Sequence, residues 1–162
     1  MLLAQRVGRR VLLSARIDLR CPPPPMVLRG MTTDASEKLV RVWWDSQCPL
    51  CTKEISLMKS LDSRRAIDFV DLHNPHENPI GTCPLRIEDA LARFHAQDVA
   101  TTKVVSGAAA FALMWTVLPR PFRWVGAHAQ KNPAFLAFLE DAYVLFLTRY
   151  RPSFQRIARR LS

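Results

Sequence analysis

The run Val40-Arg41-Val42-Trp43-Trp44, followed at once by Asp45-Ser46-Gln47-Cys48-Pro49-Leu50-Cys51-Thr52-Lys53-Glu54, leaves this chain few choices of fold. β-branched and aromatic residues in succession read as a buried strand. Asp45-Ser46-Gln47 is a polar turn, and Pro49 suits the first turn of a helix because its missing N–H has no intrahelical partner there. Two cysteines are therefore delivered to a strand-to-helix junction. Unpaired N–H groups and the positive end of the helix macrodipole stabilise a thiolate at such a place, lowering a cysteine pKa from about 8.5 to roughly 3.5–7.5. On this pattern Cys48 is the attacking thiol, and Cys51, one turn further in, is the resolving one.

The residues downstream extend the junction into a layered unit. Pro49 to about Leu61 carries Ile55, Leu57, Met58 and Leu61 at spacings that pack a helix on a sheet,. Ala66 to Leu72 is a second strand, which makes a β-α-β unit whose strands should run parallel through a right-handed crossover. Cys48 then lies at the carboxyl end of the first strand, where open α/β sheets bind their ligands. Residues 73–85 are rich in turn formers and read as a loop. Glu88 to Phe94 reads as a short helix, and His95 to Val99 with Thr102 to Val105 as an antiparallel hairpin. Gly107 to Leu118 is an apolar helix too short to span a bilayer.

Asn132-Pro133 is a helix start, an N-cap followed by proline at the first position. The helix from Ala134 to Thr148 places Phe135, Phe138, Leu139, Ala142, Tyr143 and Phe146 on one broad face, interrupted by Glu140 and Asp141, so no membrane span is expected. An amphipathic helix of this kind docks on the body or on another protein. Alternating strand and helix patterns require an α/β arrangement with a mixed sheet of about four strands flanked by helices.

The net charge of +9 belongs to the ends of the chain. Residues 1–33 hold six arginines and one acid, and residues 149–162 hold five arginines and no acid, which leaves residues 34–148 with 12 basic and 13 acidic groups. A nucleic-acid face built into the core is therefore not expected, and the arginine-rich ends should govern any contact with RNA or anionic lipid. Residues 1–20 repeat Leu3, Val7 and Val11 at helical spacing among Arg6, Arg9, Arg10 and Arg16, and the longest apolar run, Val11-Leu12-Leu13, is too short for a secretory signal,. They read as a mitochondrial targeting segment or as a retained basic arm. Residues 21–37, with Cys21 and Pro22 to Pro25, form a linker of polyproline character. Residues 38–131 are the folded domain, and residues 132–162 are a helical C-terminal extension with a basic end.

Asp45-x-x-Cys48-x-x-Cys51 resembles the signature of the DCC family of predicted thiol-disulfide oxidoreductases, which is thioredoxin-like. The likeness covers roughly residues 38–151 and includes Ile67-Asp68-Phe69-Val70-Asp71-Leu72, Val104-Val105-Ser106-Gly107 with Ala110-Phe111, Leu118-Pro119, and Ala142-Tyr143 to Arg149-Tyr150-Arg151. The resemblance implies a thioredoxin-like sheet and a mitochondrial, matrix-located thiol-disulfide oxidoreductase in which Cys48 attacks, Cys51 resolves and Asp45 assists. Its partner would be a protein dithiol or disulfide. No nicotinamide, flavin or haem motif is visible, so no cofactor is expected and electrons come from another dithiol. Two departures stand out. The family usually has glycine where this chain has Ser46, a costly change if that position needs positive φ. Thioredoxins also place a cis-proline before the third strand, and this chain has no proline between Pro84 and Pro119.

Other readings of the same residues remain open. Cys48 and Cys51 are redox-active thiols, inherited structural cysteines, or zinc ligands completed by Cys83 with His73 or His76. Asp45 either takes the proton of the resolving thiol or caps the turn, and as a nearby carboxylate it opposes the helix dipole at Cys48. Trp43 and Trp44 read as strand and core residues, with one of them facing outward near the site. Cys21 and Cys83 should be free thiols in a reducing compartment. The rival functional expectation is a non-catalytic accessory or structural subunit of a large mitochondrial complex, a ribosome or a respiratory assembly, bound through the basic ends and the C-terminal helix.

Overall fold

A computed structural model describes residues 38–74 and 85–151. Residues 1–20, expected to be a targeting segment or basic arm, the expected proline-rich linker, Cys21, His76, Cys83 and the basic end after Arg151 lie outside the described residues. Strand β1 (Val40–Trp44) runs into helix α1 (Pro49–Leu61) and returns as β2 (Ile67–Asp71). A short helix α2 (Ile87–Ala92) precedes the hairpin β3 (His95–Asp98) and β4 (Val104–Ser106), and α3 (Ala108–Trp115), α4 (Phe122–Lys131) and α5 (Pro133–Leu145) follow. A π-helical turn, Phe146–Tyr150, continues α5.

The four strands form one mixed sheet in the order β2-β1-β3-β4. β1 pairs parallel with β2, Val40 opposite Ile67 and Trp44 opposite Asp71, and antiparallel with β3, Trp43 opposite His95. β1 is thus central and mostly apolar on both faces because both are covered, the exception being Arg41, whose Nε donates to Asp68 Oδ2 of β2 at 2.8 Å. Val40 and Val42 pack with Met58 of α1 and with Ala110 and Met114 of α3. Trp43, out of phase by one residue, packs with Val70, Leu85 and Ala90 in a second cluster. The sheet with helices around it is the α/β, thioredoxin-like architecture expected from the alternation of patterns.

Local chemistry fixes the joints. Buried Asp62 follows α1, and its two carboxylate oxygens accept the N–H groups of Ala66 and Ile67 at 3.0 and 2.9 Å, which ties the end of α1 to the first residue of β2. Asn132 caps α5 as expected, its Oδ1 accepting from Phe135 N at 3.0 Å.

Two features differ from the sequence reading. Helix α4 fills the stretch between Leu118 and Asn132, where the sequence pattern offers no element. Gly126 and Ala129 are its buried residues. A Cβ on Gly126 would stand 2.6 Å from the Ala112 carbonyl oxygen of α3, so glycine is what permits the close approach of these two helices. The second difference is the rotation of α5. Phe138 is 65% exposed and Ala142 is also exposed, while Glu140, read as an interruption of the apolar face, lies on the packed side. Glu140 belongs there because it has partners: the Arg93 guanidinium, and the orphan Ala108 N–H at the start of α3.

Candidate functional site

The turn that ends β1 is closed by its own residues. Cys48 N donates to Asp45 O at 3.3 Å, and Gln47 N donates to Asp45 Oδ1 at 2.9 Å. The capping role of Asp45 is therefore present. Ser46 is not among the residues with positive φ, so serine in place of glycine carries no backbone strain. Cys48 is itself the N-cap of α1, in an extended conformation (φ −92°, ψ 110°), and Pro49 follows at the first helical position. Thr52 fastens this entry, since its hydroxyl donates to the carbonyl of Cys48 at 3.1 Å.

Both thiols are reduced, and they differ sharply in exposure. Cys48 is buried, 3% exposed, whereas Cys51 is half-buried. Burial pushes the Cys51 thiol up to about 12, helped by its hydrogen bond to Cys48 and by the negative charge that Cys48 would carry. A hydrogen bond that raises the pKa of Cys51 is one in which Cys51 holds the proton and donates it. Nearby Asp45 acts in the same direction, and Arg151 opposes it.

Asp45 also has a partner that its sequence neighbourhood does not reveal. His73 Nε2 lies 2.8 Å from Asp45 Oδ1. His73 sits in the turn after β2, where its backbone N–H is held by Asp71 Oδ1 at 3.0 Å. The parallel register explains the meeting, because Trp44 opposite Asp71 brings the residues just beyond each strand end together. His73 was a candidate zinc ligand, and here it faces a carboxylate. Among the described residues no group of three or more His, Cys, Asp and Glu side chains is placed to hold a metal.

Cys51 opens into a cleft of about 150 Å³. Its walls come from the end of β1 (Trp44), from α1 (Glu54), from α2 and the residue before β3 (Leu91, Phe94), and from α3 (Phe111). The far wall is Tyr143 of α5 with Phe146, Leu147 and Arg151 from the π turn and just beyond it. Of the two tryptophans, Trp43 is buried at 5% and Trp44 is the partly exposed one.

Helix α5 is held over this cleft by polar contacts as well as by rings. Tyr143 Oη accepts from Phe94 N at 2.9 Å, its ring meets Phe111 edge-on at 5.7 Å, and Glu140 joins Arg93. Burial raises the Glu54 carboxyl above the usual range and favours its neutral form. Sequence reasoning missed Glu54, Arg93, Glu140 and the pairing of His73. Only the i, i+3 spacing of Cys51 and Glu54 on α1 signalled any of them.

Residue 94, which leads into β3, is a phenylalanine, so the position of the thioredoxin cis-proline is filled by an aromatic ring. The cis peptide found among the described residues is Arg120–Pro121, beyond α3. No described helix is long and apolar enough to cross a membrane. A family model described as DCC1-like thiol-disulfide oxidoreductase matches residues 42–156. No curated protein and no solved structure matches the chain.

Proposed function

The chain belongs to the DCC1-like thiol-disulfide oxidoreductase family, and from that premise we propose that it reduces disulfides of proteins or peptides through the Cys48–Cys51 dithiol. The observation that carries this reading is the pair itself: two reduced cysteines one helical turn apart at a strand-to-helix junction. The Cys48 thiolate attacks a substrate disulfide, forming a mixed disulfide and expelling one substrate thiolate, which takes up a proton. Cys51 then gives up its proton and attacks the Cys48 sulfur. The Cys48–Cys51 disulfide forms, the second substrate thiol leaves, and two electrons have passed to the substrate. Another dithiol reduces the protein disulfide and completes the cycle.

Asp45 is the proton acceptor for Cys51 in this scheme, and His73 holds its carboxylate. Because Cys48 is 3% exposed, attack requires the Ser46–Gln47 turn to give way to the substrate. Residues 1–20 direct the protein to the mitochondrial matrix. The test is an insulin-reduction assay with the full chain beside Cys48→Ser: the wild type should turn over and the variant should not, and equal rates would sink the enzyme reading.

A second reading draws on α5, where Phe138 (65%) and Leu145 (56%) are exposed. In that reading the protein is an accessory subunit of a large mitochondrial assembly, held by this helix and the basic ends. Stable co-purification with a megadalton complex, together with absent turnover, would favour it.

A further inference from the structure

We propose that the cleft beside Cys51 selects the substrate, accepting one apolar side chain of leucine or phenylalanine size from the residue next to the reacting cysteine of a polypeptide disulfide. The proposal rests on the thiol–disulfide reading above. Its first support is size. An apolar protein cavity of about 150 Å³ takes up benzene, and this cleft, open to solvent on one side, offers about 150 Å³.

The second support is the character of the walls. Trp44, Leu91, Phe94, Phe111, Phe146 and Leu147 supply apolar surface. Several of the polar groups around them are engaged elsewhere: the Tyr143 oxygen by Phe94 N–H, the Arg93 Nη2 by Glu140, Asp45 by His73, and the Arg151 guanidinium by the carbonyls of Ala92 and Leu91 at 3.4 and 3.5 Å. Trp44 Nε1 and Arg93 Nε are buried without a hydrogen-bond partner among the described residues, and Glu54 is favoured in its neutral form. Water in such a space has few partners, so an apolar group displaces it at little cost. The π turn contributes to the shape, since its wider i→i+5 winding sets the direction of Phe146 and Leu147 along one wall,.

The third support is position. A substrate sulfur bonded to Cys48 lies against Cys51, whose thiol is part of the cleft wall. Consecutive Cα atoms are about 3.8 Å apart, so the residue beside the substrate cysteine is the one that reaches the opening.

The test uses the reduced full chain and short peptides Ala-X-Cys-Ala and Ala-Cys-X-Ala, each carrying thionitrobenzoate as a mixed disulfide on cysteine. A protein thiolate attacks the peptide sulfur, the coloured thionitrobenzoate anion leaves, and Cys51 then releases the peptide thiol. With X as Leu or Phe in one of the two series, the second-order rate constant for thionitrobenzoate release in a single turnover should exceed that for X as Gly or Asp by roughly 10- to 100-fold, the range that burying one such side chain supplies. Leu147→Trp fills the cleft and should bring the Leu-to-Gly ratio towards one. A flat response to X in wild type overturns the cleft as the selecting site and leaves the redox reading standing, and this result does not depend on the variant folding. A ratio unchanged in folded Leu147→Trp overturns it too. No thionitrobenzoate release above the level of Cys48→Ser overturns the thiol chemistry and the proposal with it.

Discussion

Replacing Cys48 with alanine should make Cys51 more reactive, although a cysteine has been removed from the pair. In the wild type the Cys51 pKa stands at about 12 against an ordinary 9.0, with burial the largest cause and the hydrogen bond and charge of Cys48 next. At pH 8 a rise of three units cuts the thiolate fraction by about 1000-fold. A more basic thiolate is a better nucleophile, and a Brønsted coefficient of about 0.4–0.5 returns roughly 15- to 30-fold. Cys51 should therefore alkylate about 30- to 70-fold more slowly than an ordinary thiol, before any hindrance from its half-buried position. Cys48→Ala leaves the burial and removes both contributions of the neighbour. Each unit of pKa recovered quickens alkylation by roughly 3- to 4-fold. The assay is iodoacetamide labelling of Cys51 across pH 7–11, read by mass spectrometry of the peptide that contains it. In the wild type the rate should still be climbing at pH 10, and in Cys48→Ala the curve should shift to lower pH. An unshifted curve would refute the reasoning, because Cys51 would then owe its reluctance to burial alone and would not be donating to Cys48.

Gly107→Ala should destabilise the fold by about 1–3 kcal/mol in urea titration, because Gly107 sits at φ 64°, ψ −137° and an added Cβ would collide with the side chains of Arg93 and Glu140; a loss under 0.5 kcal/mol would show that the joint relaxes. Burial raises the Glu54 pKa, so the folded state favours its neutral form, and that contribution is full below the unfolded pKa and fades as pH rises through the folded one,. Glu54→Gln should accordingly gain on the wild type as pH goes from 4 to 7, and parallel stability curves for the two proteins would contradict this. His73→Ala removes a partly exposed pair with Asp45, so stability should fall by no more than about 1 kcal/mol, while closure of the Cys48–Cys51 disulfide from a preformed mixed disulfide slows; an unchanged closure rate would mean that His73 does not serve Asp45.

How much of this was legible before the structure depends on whether the determining contacts are local. The limits of α1, Pro49 to Leu61, follow from proline at the first position and from the spacing of Ile55 and Met58, and the structure has the same limits. The cap at Asn132 is equally local, one side-chain oxygen and one N–H three residues on. β1 could be read because a strand covered on both faces is mostly apolar and β-branched or aromatic, with Arg41 as its one charged residue,. From these short-range rules came the strand-turn-dithiol-helix junction and the parallel return of β2.

A periodic pattern gives spacing without phase, and that is where the sequence reading stopped. On α5 the same apolar residues allow several rotations, and the one adopted is set by Glu140 meeting Arg93 and Ala108 N–H, contacts across 47 and 32 residues of chain. Helix α4 was hidden because its contact with α3 is made by Gly126, a residue whose value lies in the side chain it lacks. The meeting of Asp45 with His73 follows from strand register, a property of two strands together and of neither alone. The cleft is the extreme case. Cys51 could be named from the sequence, but the walls around it come from segments up to a hundred residues away, and only the closed chain brings them to one place.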